Sequence, residues 1–580
     1  MHITVEALKK RISAARGEIP ADLVLKGGRV VNIFSGDIPE KDVAIYDGVI
    51  VGVGSGYHGK EEKDLIGKWV IPGLIDGHFH IESSMLLPRK LAAALLIHGT
   101  TTLVADPHEI ANVMGIPGIR LMLRESLGIP FDIFFMAPSC VPATSLETAG
   151  ATLTVSDLSA LKDEDPRILG LAEMMNYPGV LMGDEEVLEK IVLFRDQIVD
   201  GHCPSLSDHD LQAYITAGIR SDHEATVLQE AREKVENGMM LMIREGTSAK
   251  DLEELLPLIN DKNSRRCCFV SDDLHSEDIQ QRGHLNFMIK KAIHLGLDPV
   301  TAVQLVTLNP AGYFGLKDRG AIAPGYSADI VVLDDLESFE VTSVYKDGRI
   351  VVDRRALVNF PVDLTKTISI ESKPLNIAPL SPESLHIPFS KSKARVIELV
   401  PGKLITHESY EDVKSKSGFV TSDIESDILK LCVVERHHAS GRIGLGLVRG
   451  FGLNRGAMAS SVAHDSHNVI AVGVSDEEIL TAVEEVRLMG GGLVVVCNKE
   501  VLAKTPLPIA GLMSKEPLET LVKQLKSIKK GASKLGCVLE EPFMMLSFLA
   551  LPVIPDLKLT DKGLVDVNRF EIVSLFLPNK

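Results

Sequence analysis

The alternation of hydrophobic and polar positions changes texture several times along the chain. Residues 1–20, MHITVEALKKRISAARGEIP, space apolar residues at helical intervals between Lys, Arg and Glu, which predicts one amphipathic helix. β-Branched runs broken by Gly and Asp-Gly follow in ADLVLKGGRVVNIF, KDVAIYDGVIVGVG and KWVIPGLIDGH, the pattern of short strands joined by tight turns. A matching stretch occupies 320–353, and its VYKDGRIVV repeats the hairpin pattern of VAIYDGVIV. Strand-rich sections at both ends of a longer unit predict one β-sandwich domain built from two separated segments, 1–71 with the leading helix and 317–373.

Between them, over 72–316, short apolar runs alternate with helical stretches such as LPRKLAAALLIHG and ATVLQEAREKVENG. The runs are GLIDGHFH, TTLVADP, DIFFMAPS, ILGLAEMM, QIVDGHCP, AGIRSDHE, GMMLMIREG and CCFVSDD. Repeated βα units build a parallel sheet, and eight of them in a segment of this length predict a (β/α)8 barrel of TIM type, so the fold class is α/β. From Pro374 the texture turns to a Pro/Ser-rich connector, PLNIAPLSPESLHIPFS, which leads into an α+β C-terminal domain, 374–580. The Gly-rich RIGLGLVRGFGLNRGAM within it lacks the spacing of a phosphate-binding loop and reads as strands and turns.

Composition narrows the function classes. With 45% hydrophobic and 24% charged residues, a core of ordinary size is expected. A formal net charge of −18 argues against nucleic acid or an anionic membrane as partner, but not against a small base or nucleoside. Seven scattered Cys without a paired spacing read as reduced thiols, with Cys267 and Cys268 packed in a strand. No apolar run reaches the ~18–20 residues of a membrane span, and the leading helix lacks the core of a secretory signal, so a cytoplasmic location is expected.

Chemistry concentrates where the expected barrel strands end, the face on which barrel enzymes place their sites. His78 and His80 flank Phe79, and residues i and i+2 of a strand point to one side, so two imidazoles can reach one metal. A lone His-x-His pair arises easily by chance. Glu173, His202, His223 and Asp272, however, close four later strands in the order a barrel would place them. A satisfied core histidine explains any one of these positions but is a poor explanation for the set.

The stretches IPGLIDGHFHIESS, ADPHEIANVMG, GLAEMMNYPGV, DGHCPSLSDHDLQAY, SDHEAT and SDDLHSEDI resemble the amidohydrolase superfamily and, within it, the bacterial adenine deaminases. GRIGLGLVRGFGL and SSVAHDSHN extend the resemblance into the C-terminal region, so it spans nearly the whole chain. It implies a dinuclear centre held by His78, His80, Glu173, His202, His223 and Asp272. Many superfamily members bridge their metals with a carboxylated lysine on the fourth strand; here that strand offers Glu173 and no Lys. The resemblance favours Mn(II) or Fe(II), with Zn(II) the alternative, because this N/O donor set does not itself choose among them. It implies hydrolytic deamination of adenine to hypoxanthine and ammonia, in purine salvage, by a homo-oligomer. Asp272 would be both metal ligand and proton shuttle, and Asp273 is the weaker candidate because its side chain alternates away.

The purine ring nitrogen beside the reacting carbon must gain a proton, and Glu82, Glu109, Glu224 and Glu245 are the carboxyls nearest in sequence to supply it, Glu82 and Glu224 first. For each the competing reading is an ordinary supporting carboxylate. His108 is open to a substrate or accessory-metal role, or to capping the helix after it. His464 and His467, in SSVAHDSHN outside the barrel, either reach an active site, their own or a neighbour's, or belong to a structured surface loop. Two other classes remain: an amidohydrolase opening a cyclic amide, as dihydropyrimidinases do, and a non-catalytic scaffold. Zinc deaminases with the P-C-x-x-C signature are excluded, since that motif is missing.

Overall fold

The eight apolar runs of the central unit form β1 Leu74–Phe79, β2 Thr100–Ala105, β3 Asp132–Ala137, β4 Ile168–Met174, β5 Ile198–Gly201, β6 Ser221–Asp222, β7 Met240–Arg244 and β8 Cys267–Val270. The computed structural model describes residues 3–361, 364, 375–400 and 402–577; the boundary expected at Pro374 lies outside the described residues. β1, β2, β7 and β8 are buried along their whole length, as strands of a helix-covered parallel sheet must be. β1 to β5 pair in parallel in chain order, and so do β6 to β8. The ladder is thus two arcs, of five and three strands. At one seam the Arg220 N–H donates to the Val199 carbonyl at 3.1 Å. At the other, the His80 N–H donates to the Asp272 carbonyl at 3.2 Å and the Asp272 N–H to the His78 carbonyl at 3.0 Å. β5 stops at Gly201, where an added Cβ would lie 2.2 Å from the Ser221 carbonyl oxygen, so only glycine lets β5 and β6 approach. Ile75, Val104, Met136, Ala172, Met242 and Val270 fill the space the strands enclose.

The two outlying strand-rich segments meet in one sheet of nine strands. Trp69–Pro72 runs antiparallel to Ile330–Leu333, with Val70 opposite Val332 and Ile71 opposite Val331. Where two facing sheets were expected, one continuous ladder rolls on itself: the Ile50 N–H donates to the Tyr326 carbonyl and the Gly325 N–H to the Ile50 carbonyl, both at 2.8 Å. A register shift between Leu25 and Gly28 bends the first strand and permits the roll. Leu25, Val43, Ile45, Val70 and Ile330 pack inside it. The helix Val5–Ala15, capped by the Thr4 hydroxyl accepting from the Ala7 N–H, buries Ala14 against Val24, Ala44 and Val51 on the other face.

An eight-stranded sheet organises the C-terminal region. Helix Asp476–Leu488 lays Ile479, Ala482, Val483 and Val486 on it, the i, i+3, i+4, i+7 stripe of an amphipathic helix. Its other face is continuous with the core beneath the barrel helices: Leu431, Val433, Met458 and Val495 share one cluster with Leu91, Leu95 and Ile279. Specific bonds lock the two together. The Ser514 N–H donates to the Met85 carbonyl at 2.8 Å, the Thr148 hydroxyl to Asp561 at 2.6 Å, and Asn468 Nδ2 to the Thr148 carbonyl at 2.9 Å. This docking brings residues 461–468 to the C-terminal ends of the parallel strands. All seven Cys are buried and unpaired, and no helix among the described residues is long and apolar enough to cross a membrane.

One buried cation of this region makes a testable energetic statement. Lys558, on the strand Leu557–Thr560, is fully buried and its Nζ donates to the Leu404 carbonyl at 2.9 Å. Burial pulls its amine from the ordinary 10.5 down to about 7. The unfolded chain therefore binds more protons between those values, and stability rises with pH across that window. Lys558→Met is expected to stabilise the protein at pH 7 by on the order of 1–3 kcal/mol, with the gain shrinking towards pH 10.5. Thermal melts at pH 7 and pH 10 check this; a lower melting temperature at both would mean that the lost hydrogen bond outweighs the relieved charge.

Candidate active site

Glu173, near the end of β4, sits at the middle of the histidine cluster with its two oxygens turned to different neighbours. Oε1 lies 3.4 Å from His80 Nε2, 3.5 Å from His108 Nδ1 and 4.0 Å from His78 Nε2. Oε2 lies 2.6 Å from His202 Nδ1 and 3.1 Å from His223 Nε2. Burial alone would push this carboxyl up; the charge of His223 and hydrogen bonds with His202 and His223 hold it well below the ordinary carboxylate range.

Asp272 follows β8 with its backbone in the left-handed region, φ 57°, a conformation that aspartate tolerates better than most residues. Its Oδ1 faces His80 Nε2 at 3.0 Å and His78 Nε2 at 3.6 Å, while Oδ2 accepts from Arg244 Nη1 at 3.0 Å. Arg244 also binds Glu224, and its Nε lies 3.3 Å from Asp251. Glu224 in turn stands 3.6 Å from His223 Nε2 and 3.8 Å from His202 Nδ1.

The donor chemistry fits divalent cations. His80 Nδ1 is 3.2 Å from the Asp106 carbonyl, which takes its N–H and leaves the Nε2 lone pair facing Glu173 and Asp272, the tautomer a ligating histidine needs. His78 Nε2 and His108 Nδ1 are buried without a hydrogen-bond partner although carboxylate oxygens surround them. An unmatched buried ring nitrogen costs about 1–3 kcal/mol, so converging nitrogens and oxygens that do not bond one another point to an ion between them. Several groups have ligand atoms lying within 4.8 Å of one another, among them His78/His80/Asp272, His78/Glu173/His223, His202/His223/Glu224 and His80/Asp106/His108/Glu173. Glu173 is common to the second and fourth.

Behind the cluster, Asp222 ties down the chain beside His202 and His223. Its carboxylate accepts from the Cys203 N–H at 2.9 Å, the Glu224 N–H at 3.1 Å, the Ala225 N–H at 3.0 Å and Lys234 Nζ at 2.8 Å. Asp76 similarly accepts from the His78 N–H at 3.2 Å and the Ser271 N–H at 3.2 Å, joining β1 to β8.

A cavity lies between this cluster and the C-terminal region. Glu82, Glu109 and Asp273, each within two residues of His80, His108 or Asp272, line it together with Ser83 and His464. Glu82 Oε1 accepts from the Ile110 N–H at 2.9 Å, its Oε2 is buried without a partner, and burial pushes its carboxyl up to about 7. Glu109 takes His464 Nδ1 on Oε1 at 2.6 Å and His467 Nε2 on Oε2. Glu109, His464 and His467, whose ligand atoms also lie within 4.8 Å of one another, form a hydrogen-bonded bridge. His467 Nδ1 accepts from the Ala463 N–H at 3.1 Å, so the ring proton sits on Nε2 and is donated to Glu109.

Of the side chains singled out in the sequence, the structure gathers His78, His80, Glu173, His202, His223 and Asp272 into one cluster. His108 and Glu224 lie within it, and Glu82, Glu109, His464 and His467 border the adjoining cavity. The loop bearing His464 and His467 therefore reaches the cavity beside this cluster in its own chain. Glu245 is not brought in: its Oε1 accepts from Lys291 Nζ at 2.8 Å, away from the histidines. Its neighbour Arg244 takes the place instead, because it shares the strand face of Met240 and Met242, which point inward. That period-two pattern is visible in GMMLMIREG and would have singled out Arg244. Asp106, in ADPHE, carried no separate signal.

Comparison with known proteins agrees over both halves of the chain. A profile of the amidohydrolase family matches residues 69–351, and one of the adenine deaminase C-terminal domain matches residues 403–571. A protein named adenine deaminase from Desulfatibacillum aliphaticivorans is 51% identical over 567 residues, covering 97% of this chain and 99% of its own. Another of that name, from Oceanobacillus iheyensis, is 46% identical over 585 residues and covers 100% of both chains. A solved structure of an adenine deaminase superposes with a TM-score of 0.45 at 19% identity, covering 57% of this chain and 100% of that one.

Proposed function

Because the chain belongs to the adenine deaminase family of the amidohydrolases, we propose that it converts adenine and water to hypoxanthine and ammonia. The observation that carries the reading is Glu173, whose two oxygens face two separate sets of imidazoles. The two strand arcs read as one (β/α)8 barrel with this cluster at its C-terminal mouth. His78, His80 and Asp272 would hold one divalent ion, His202 and His223 a second, and Glu173 would serve both. Manganese or iron is preferred over zinc. Such ions, when bound, lower the pKa of water towards neutrality and so supply the nucleophile.

The chain's own groups do the rest. Asp272 accepts the proton of the attacking water through the carboxylate that Arg244 orients, then returns it to the amine that leaves C6. Glu82, which lines the cavity with one oxygen unpaired, gives a proton to N1, and the second proton of the water restores it for the next turnover. Glu224 and Arg244 keep Asp272 and His223 aligned.

Ammonia release from adenine, measured with metal content, tests the proposal. Chelation is expected to abolish activity, and Mn(II) or Fe(II) at two equivalents to restore it. Metal-loaded protein that leaves adenine intact but opens a cyclic amide would establish the dihydropyrimidinase-like alternative. A chain that binds no metal would establish the scaffold.

A further inference from the structure

The cavity is lined by the C-terminal region as well as by the central unit. His464 stands on the loop after the strand Ala457–Ser460, and its ring is held on two sides. Nδ1 bonds Glu109 at 2.6 Å, and the ring stacks on Phe548 at 4.5 Å between centroids with 26° between planes. Glu109 is itself fixed by His467, whose own ring is pinned by the Ala463 N–H. Burial alone would lower the basicity of His464, but the Glu109 charge and their hydrogen bond raise its pKa to about 9, so the ring is an imidazolium that gives one N–H to Glu109 and presents its Nε2–H to the cavity it lines, in one orientation, from a buried position. Several donors on the cavity wall are engaged elsewhere: Ser83 donates to Asp273, Lys529 pairs with Glu277 and Glu541, and His467 serves Glu109, whereas the Ser547 hydroxyl is buried there without a partner.

The shape of adenine supplies the partner. C6 must lie against the Glu173–Asp272 cluster to react. N1 flanks C6 on one side and N7, across C5, on the other. With N1 assigned to Glu82, N7 is an acceptor that loses its water on entering a largely apolar cavity and needs a donor there.

We propose that His464 is a specificity-determining residue that donates its Nε2–H to N7 of the bound purine, so that the C-terminal region completes the substrate site. The inference rests on the adenine deaminase reading, and the wild-type enzyme separates the two: no ammonia from adenine overturns that reading before His464 is examined.

The test compares wild-type and His464→Gln holoenzyme on adenine and on 7-deazaadenine, which has a carbon in place of N7. The analogue is followed as substrate or, where turnover is too slow, as a competitive inhibitor. Metal content and melting temperature are measured alongside. The variant is expected to keep its metals and lose roughly 30- to 100-fold in kcat/KM for adenine, while its affinity for 7-deazaadenine stays within about threefold of wild type. Equal losses for both compounds, or adenine kinetics within threefold of wild type, would overturn the inference. Should the variant fail to fold, the wild-type enzyme still decides: 7-deazaadenine binding as tightly as adenine would show that no donor reads N7.

Discussion

Glu173→Gln is expected to lower ammonia release from adenine by on the order of 10³-fold or more and to reduce bound metal from two ions to one or none. The magnitude follows from the geometry. One carboxylate oxygen faces His80 at 3.4 Å while the other faces His202 at 2.6 Å and His223 at 3.1 Å. A glutamine has one acceptor oxygen, and its NH2 must then face whichever histidine set the oxygen does not. One half of the site loses its anionic ligand and gains N–H groups pointed at a cation. The fold should persist, because β4 remains paired to β3 and β5 and the Tyr214 hydroxyl still donates to the Met174 carbonyl at 2.8 Å. Elemental analysis and steady-state kinetics on the same preparation check the result; a variant holding two metals with activity within tenfold of wild type would remove Glu173 from the bridging role.

The second large effect is on stability. Lys234 is fully buried, and its Nζ donates to Asp222 at 2.8 Å, Glu230 at 2.7 Å and the Cys203 carbonyl at 2.8 Å. Lys234→Met would leave the fully buried Asp222 without its cation and the Cys203 carbonyl without its donor. Breaking one side of such a pair costs about 3–5 kcal/mol, because the remaining charge stays desolvated. The damage reaches the site as well, since Asp222 holds the backbone at Cys203, Glu224 and Ala225, beside His202 and His223. Metal affinity is therefore expected to fall roughly 10- to 100-fold, the usual cost of removing a group that orients a ligand. Denaturant unfolding of the metal-loaded protein and a metal-competition titration read the two effects separately. Wild-type stability and affinity together would show that the Asp222 backbone contacts suffice alone.

The two variants probe different layers of one construction, and those layers differ in how they are written into the chain. The eight parallel strands are legible because each is a short apolar run bounded by turn residues, and burial on both faces demands that composition. The donor set is legible for a related reason: His78, His80, Glu173, His202, His223 and Asp272 each interrupt or end an apolar run with a side chain no core would hold unpaired. Asp222 and Lys234 carry no comparable signal, since a lysine on a helix such as Leu228–Glu236 normally faces water. Only packing shows that this one points inward.

Glu245 and Arg244 mark the same divide within a single strand. Both are charged and adjacent, and the alternation of side chains puts just one of them on the inward face with Met240 and Met242. The Glu109–His464 contact, between residues 355 positions apart, lies further still from local pattern. Its existence depends on the C-terminal sheet sharing a core with the helices of the central unit, which brings the loop 461–468 to the cavity.

Local periodicity and side-chain chemistry thus determine from the sequence alone that this chain builds a βα unit eight times and ends its strands in metal-binding groups, because burial and ligation act on each segment as it stands. Which oxygen of Glu173 serves which histidines, which charges lie buried behind them and which distant loop closes the cavity are decided only in the tertiary structure, because they depend on contacts between segments that no local pattern encodes.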